Sequence, residues 1–146
     1  MFDWASLRLT WEPRTLSILR IMVGLLYWQH GLNKLFNFPP TANHAAYNLF
    51  TLAPGLAGIL EIVGGVLLAF GLFTRPVAFI LSGEMAVAYF MVNAPRGFYP
   101  LGNGGELVVI YCFVFLYFFV AGGGTLSLDR LWASRSSSGV AAGTRV

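Results

Sequence analysis

The chain has 146 residues, 57% of them hydrophobic and only 10% charged, with a mean hydropathy of +0.70. Soluble domains carry roughly 25% charged residues, so the composition points to an integral membrane protein and leaves no room for a separate soluble catalytic domain. The net charge of +3 reads as basic residues gathered on one membrane side rather than as a nucleic-acid surface, and a single cysteine, Cys112, excludes an intrachain disulfide or a CxxC site.

Residues 1–16 mix Phe2, Trp4, Leu7, Leu9 and Trp11 with Arg8 and Arg14. Trp and Arg together suit the headgroup region, so this stretch reads as an interfacial N-terminal segment. Pro13 marks the entry to the first span. The apolar run that follows is long and lacks a small-x-small cleavage site, which makes it a retained span rather than a signal peptide.

Residues 17–132 read as an all-α membrane domain of four spanning helices. The first span, 17–36, approaches the ~20 residues a helix needs to cross a bilayer. Yet it carries Arg20, His30 and Lys34. At ~100° per residue, Arg20, Tyr27, His30 and Lys34 share one face, with Gly24 and Gly31 on or beside it. Ionisable groups in a span are costly and face protein or water, so this stripe needs partners. The other spans offer one carboxylate each: Glu61, Glu84 and Glu106.

Residues 37–52 form a polar break in which Pro39-Pro40 stops any helix and Thr41 caps a short re-entrant or surface helix bearing His44, Tyr47 and Asn48. The second span, 54–73, places Gly58, Glu61, Gly65 and Leu68 on one face, and Gly58, Gly64 and Gly65 are expected at helix contacts. Thr74 is the expected N-cap of a third span over 75–93, with Pro76 in its first turn and Glu84 near its middle. After a Gly- and Pro-rich loop, Asn103 to Glu106 has capping-box-like spacing at the start of an aromatic fourth span, 106–121. Gly122-Gly123-Gly124 ends it, 126–132 looks interfacial, and the Ser-rich tail 133–146 is expected to be disordered.

Four spans put both termini on one side. Arg8, Arg14, Arg75, Arg130, Arg135 and Arg145 share that side, so the positive-inside bias makes the termini cytoplasmic. A rise of ~1.5 Å per residue places His30 ~10 Å below the outer face and Glu61 ~10–12 Å below it. His30 and Glu61 are therefore expected to line one cavity. Glu84 lies near mid-membrane, where Arg20 is the expected partner, and Lys34 and Glu106 lie near the outer face.

Each of these residues also has a plainer reading. Glu106 serves equally as a helix-start cap, Lys34 as a snorkelling side chain, Arg20 as a cytoplasmic anchor, and Glu61 and Glu84 as structural glue. Cys112 reads as a small buried hydrophobe. His44 is the only other histidine, so no metal or haem site is expected. The aromatics Tyr111, Phe113, Phe115, Tyr117, Phe118 and Phe119 suit packing and lipid contact, but such a wall beside a carboxylate and a histidine also suits a quinone head group.

The chain resembles the DoxX family of small four-span membrane proteins. The resemblance lies in Arg20-x-x-x-Gly24, His30-Gly31-x-x-Lys34-Leu35-Phe36, Leu60-Glu61-Ile62-Val63-Gly64-Gly65, Gly71-Leu72-x-Thr74-Arg75, Glu84-Met85 and Asn103-Gly104-Gly105-Glu106. It implies an inner-membrane location and a link to redox systems, some members resembling a subunit of thiosulfate:quinone oxidoreductase and others accompanying thiol or oxidative-stress enzymes. On that basis the chain is expected to be a membrane subunit of a quinone-linked redox complex. His30, Glu61 and Glu84 would carry the proton chemistry, and Arg20, Tyr27, Lys34 and Glu106 would hold the cofactor. Expected partners are membrane lipid and a redox protein or a second copy, without nucleic acid. Whether the chain is itself an enzyme stays open. A non-catalytic anchor or assembly factor is the alternative, and a proton-coupled transporter fits less well without a broken-helix pair.

Overall fold

The computed structural model describes residues 3–41 and 55–143, and these contain helices and no strand. The expected surface helix bearing His44, Tyr47 and Asn48 lies outside the described residues.

Helix α1 spans Trp4–Phe36, 33 residues. Asp3 caps it by accepting the Ala5 N–H at 3.0 Å. The sequence reading begins the helix after Pro13, whereas the structure runs the helix through that proline. Proline removes one backbone donor but keeps a carbonyl, and the Pro13 carbonyl is heavily used. It accepts the Ser17 hydroxyl at 2.8 Å and the Thr125 N–H at 3.2 Å, which docks the loop around Thr125 onto α1. The helix stops at Asn37 in a left-handed conformation, φ 52°.

Helix α2, Ala57–Phe70, ends at Gly71 with φ 67°, a position that favours glycine. Helix α3, Thr74–Ala88, continues into a π turn, Tyr89–Asn93, and a 3-10 turn, Ala94–Arg96. Thr74 is not the N-cap of α3. Phe73 occupies that position, and the capping group comes from a distant element. The Asp129 carboxylate accepts the Phe73 N–H at 2.7 Å and the Thr74 N–H at 2.8 Å. A carboxylate there meets the orphan donors and the positive end of the helix dipole.

One turn, α4 (Pro100–Asn103), precedes α5, Glu106–Ala121, whose bounds match the sequence reading. Gly105 takes the N-cap position of α5, and its N–H donates to Asn103 Oδ1 at 2.8 Å. Helix α6 covers Leu128–Gly143, so helix is present beyond Ala133, where the sequence reading expects disorder.

Helix α1 packs along α2, α3 packs along α5, and α2–α3 contacts join the two pairs. Small residues set the α1–α2 approach. A Cβ on Gly24 would fall 2.7 Å from the Ala69 nitrogen, and one on Gly65 2.7 Å from the Trp28 nitrogen. Gly58 faces Leu35 of α1, and Gly64 faces Leu81 of α3. The expected glycine contacts are therefore all present.

Between the pairs lies a core of Val23, Tyr27, Leu68, Leu81, Met85, Tyr111, Phe115 and Phe118. Arg20 and Glu61 are buried with it, while Leu25, Phe79, Phe90, Phe113 and Val120 are exposed. Polar groups inside and apolar groups outside is the arrangement a bilayer favours. Among the described residues, the 23-residue stretch Thr74–Arg96 is long and apolar enough to cross a membrane, whereas Ala57–Phe70 and Glu106–Ala121 are apolar but shorter. The charged stripe of α1 lowers its hydropathy, so length and composition pick out one span where the sequence reading expects four.

Candidate functional site

The polar stripe of α1 divides between two sites. Arg20 lies at one end, fully buried. Its Nε donates to the Gly123 carbonyl at 2.9 Å, and Nη1 donates to the Ala69 carbonyl at 2.9 Å and also to that of Leu68. Nη2 donates to the Leu126 carbonyl at 2.5 Å. The expected Arg20–Glu84 pair does not form. A guanidinium carries five donors in a planar fork, and the last turn of α2 and the loop after α5 present carbonyls around it. Helix C-termini leave such carbonyls without intrahelical partners and bear partial negative charge. A Cβ on Gly71 would fall 2.8 Å from Arg20 Cζ, so the glycine also makes room for the guanidinium.

Farther along the stripe, Tyr27, His30 and Lys34 face a cavity of about 490 Å³. Its wall is completed by Leu60 and Glu61 of α2, by Ile80, Glu84 and Met85 of α3, by Met91, Val92 and Asn93 of the π turn, and by Leu107, Val108 and Tyr111 of α5. Ligand-binding pockets commonly measure ≈ 300–1,000 Å³ and combine an apolar lining with a few placed polar groups. The π turn shifts the helix register at Tyr89–Asn93 and so helps set which residues line the wall; such turns are frequent at functional sites.

The polar groups are paired but incompletely satisfied. Lys34 Nζ meets Glu61 Oε1 at 2.6 Å. The Tyr27 hydroxyl donates to Glu84 Oε2 at 3.0 Å. The second oxygens, Glu61 Oε2 and Glu84 Oε1, are buried with no hydrogen-bond partner among the described residues. Leaving a buried polar atom unpaired costs roughly 1–3 kcal/mol, and more for a charged group. Aromatic contacts brace this end. Tyr27 meets Tyr111 edge-on with centroids 5.3 Å apart, Tyr111 stacks on Phe115 at 5.6 Å, and the His30 ring lies 6.0 Å from Tyr111.

The structure thus brings together Tyr27, His30, Lys34, Glu61 and Glu84, and it places His30 and Glu61 on one cavity as the depth match predicts. Arg20 and Glu106 do not line it: Arg20 is held by carbonyls, and Glu106 is exposed in the first turn of α5. Sequence reasoning passed over Asn93 and named Tyr111 only as part of the aromatic wall, not among the site residues. Tyr111 sits about 7.5 Å along α5 from Glu106, close to the depth of Glu61, so the same depth argument finds it. Asn93 gives no such signal, because its place depends on the π turn. Among the described residues no three His, Cys, Asp or Glu side chains cluster as a metal ligand set. Cys112 is half-buried against α3, its thiol facing the Ser82 carbonyl at 3.4 Å.

Comparison with known proteins adds the following. A family model described as DoxX matches residues 15–94. An uncharacterised protein of Haemophilus influenzae is 45% identical over 126 residues, covering 82% of this chain and 92% of the relative. A protein of Mycobacterium tuberculosis named as an uncharacterised membrane protein is 24% identical, covering 93% and 92%. The inner membrane protein YphA of Escherichia coli is 28% identical, covering 88% of this chain and 95% of its own length. No solved structure matches.

Proposed function

This chain belongs to the DoxX family of membrane proteins, and from that premise we propose that it is a multi-pass inner-membrane subunit of a redox complex that binds a quinone in the Glu61–Glu84 cavity. The observation that carries the reading is a largely apolar cavity lined by two carboxylates, Glu61 and Glu84, each with one buried oxygen that has no hydrogen-bond partner among the described residues. The residues present fit such a group. Leu60, Ile80, Met85, Leu107 and Val108 offer an apolar bed for a ring and tail, Tyr111 an aromatic face, and His30 a hydrogen bond to a ring oxygen. A bound quinone would supply two-electron, two-proton chemistry at its oxygens. Glu61, oriented by Lys34, and Glu84, oriented by Tyr27, would hold and pass the protons.

The membrane arrangement belongs to the same reading. At ~1.5 Å per residue α1 is about 50 Å long, well beyond a ~30 Å hydrocarbon core. Its first turns, with Trp4, Arg8 and Trp11, would then lie at or outside the cytoplasmic interface. Arg20 ties the start of the spanning part to the end of α2 and the end of α5, so alternate helix ends gather at one side. Arg75 and Arg130 belong to that same end, which favours four crossings with both termini cytoplasmic.

Quinone should be recovered in the lipid extract of protein purified in mild detergent. The Glu61→Gln protein should fold, keep its partner and lose quinone-dependent electron transfer in membranes by about 10²-fold or more, because an amide hydrogen-bonds but does not exchange a proton at this site. Full activity of a well-folded Glu61→Gln protein would remove the relay and leave the anchor reading in its place.

A further inference from the structure

A second cavity lies at the other end of the molecule, where α6 begins. In α6, Leu128, Leu131, Trp132 and Arg135 recur at i, i+3, i+4 and i+7, so they share one face. Leu131 and Trp132 are 58% and 61% exposed, and Arg130 falls on the opposite face of the helix. Apolar side chains left open beside a basic one suit a bilayer surface rather than water.

The start of α6 is fixed in place. The Asp129 N–H donates to the Gly71 carbonyl at 3.0 Å, and the Asp129 carboxylate accepts from the Phe73 and Thr74 N–H groups. The Phe73 and Trp132 rings meet edge-on with centroids 6.3 Å apart. These ties hold the stripe beside Leu72 and leave a cavity of about 320 Å³ lined by Leu72, Leu128, Leu131, Trp132 and Arg135. Arg135 is the only charged residue in that lining, and it makes no ion pair among the described residues. Asp129, the only acid in α6, has both carboxylate oxygens engaged at the α3 cap. Arg75 and Arg130, adjacent to Thr74 and Asp129, are exposed at the same end and add positive potential.

We propose that this groove binds an anionic phospholipid of the leaflet that α6 faces, with part of one acyl chain along Leu72, Leu131 and Trp132 and the phosphate on Arg135. A guanidinium fork matches phosphate oxygens in a bidentate hydrogen bond. A soluble anion uses Arg135 but not the leucines. A zwitterionic lipid fills the groove but brings its own cation to Arg135. A lipid of net negative charge uses both parts, and basic pockets at a membrane surface recognise anionic head groups in this way. The inference needs this end of the molecule to lie at a bilayer surface, as in the arrangement proposed above, and is independent of the quinone.

The test reconstitutes the purified full chain in phosphatidylcholine nanodiscs. Brominated phosphatidylglycerol or brominated phosphatidylcholine is included at rising fractions, and quenching of tryptophan fluorescence is read. Subtracting the signal of the Trp132→Phe protein isolates Trp132 from Trp4, Trp11 and Trp28. Half-quenching should come at an about fivefold lower fraction of the phosphatidylglycerol, a preference of the size that one basic side chain gives near a membrane surface. Arg135→Gln should remove the preference, and Arg130→Gln, on the opposite face, should keep most of it. Equal quenching by the two lipids would overturn the inference while leaving α6 at the surface. Equal losses in the Arg130→Gln and Arg135→Gln proteins would also overturn it, because the preference would then come from the general field and not from a site. Displacement of phosphatidylglycerol by inorganic phosphate would make the groove a soluble-anion site instead. Absence of quenching by either lipid would overturn both the inference and the surface placement of α6, and recovery of quinone would be untouched by that result.

Discussion

The two ends of the α1 polar stripe bury ionisable groups to nearly the same extent, with Arg20 at 0% exposure and Glu61 at 2%. They differ in what surrounds those groups. Around Arg20, four backbone carbonyls from α2 and the loop after α5 take four of the five guanidinium donors, and Gly71 lets the chain pass close by. Around Glu61 and Glu84, which line the cavity, each carboxylate has one hydrogen-bond partner and one buried oxygen with none among the described residues. Burial of a charge therefore does not by itself mark a functional site. The satisfied end is a structural clasp. The half-satisfied end carries a local cost that the clasp avoids.

Breaking the clasp should have the largest effect. Arg20→Met leaves several buried carbonyls facing an apolar side chain, and thermal unfolding in detergent should report a loss of about 3–5 kcal/mol. In the same assay Glu61→Gln should cost less than about 1 kcal/mol, because the Lys34 it releases is partly exposed. Equal losses would mean that both ends are structural, and the contrast between them would fall.

The second prediction sets two glycines against each other. Gly65→Ala drives a Cβ to 2.7 Å from the Trp28 nitrogen, within the α1–α2 contact that carries both ends of the stripe. It should destabilise by about 1–3 kcal/mol, as overpacking does. Gly83 is exposed on α3 with nothing within 4 Å of an added Cβ, so Gly83→Ala should be neutral or stabilising by up to about 1 kcal/mol. A marked loss at Gly83 would show that the exposed face of α3 is covered by a partner.

The smallest effect is expected at the α3 cap. Asp129→Ala removes the acceptor for the Phe73 and Thr74 N–H groups and should cost about 1 kcal/mol. Asp129→Asn should recover part of this, since the amide oxygen still accepts. A cavity end unaffected by either change, judged by ligand binding, would confirm that the clasp and the cavity are energetically separate.

Much of this was legible from the residues alone. The bounds of α5 follow from an apolar run closed by glycines, and the placement of His30 and Glu61 on one cavity follows from counting residues inward along antiparallel helices. The stripe Arg20, Tyr27, His30 and Lys34 follows from helical period. Glycine placement at Gly24, Gly58, Gly64 and Gly65 follows from composition, because a residue without a Cβ has its main use in a span where backbones touch.

What the sequence determined, then, is periodic: which residues share a face of a helix, at what depth, and where close approach is permitted. What the tertiary structure decided is pairing between distant elements. Arg20 chose the carbonyls of Leu68, Ala69, Gly123 and Leu126 over Glu84, and α3 took its cap from Asp129, 55 residues beyond Thr74. Backbone carbonyls and N–H groups are present at every position and carry no signature in the residue letters. Only the fold reveals which of them are left over at helix ends, and those leftovers determined the partners of Arg20 and Asp129.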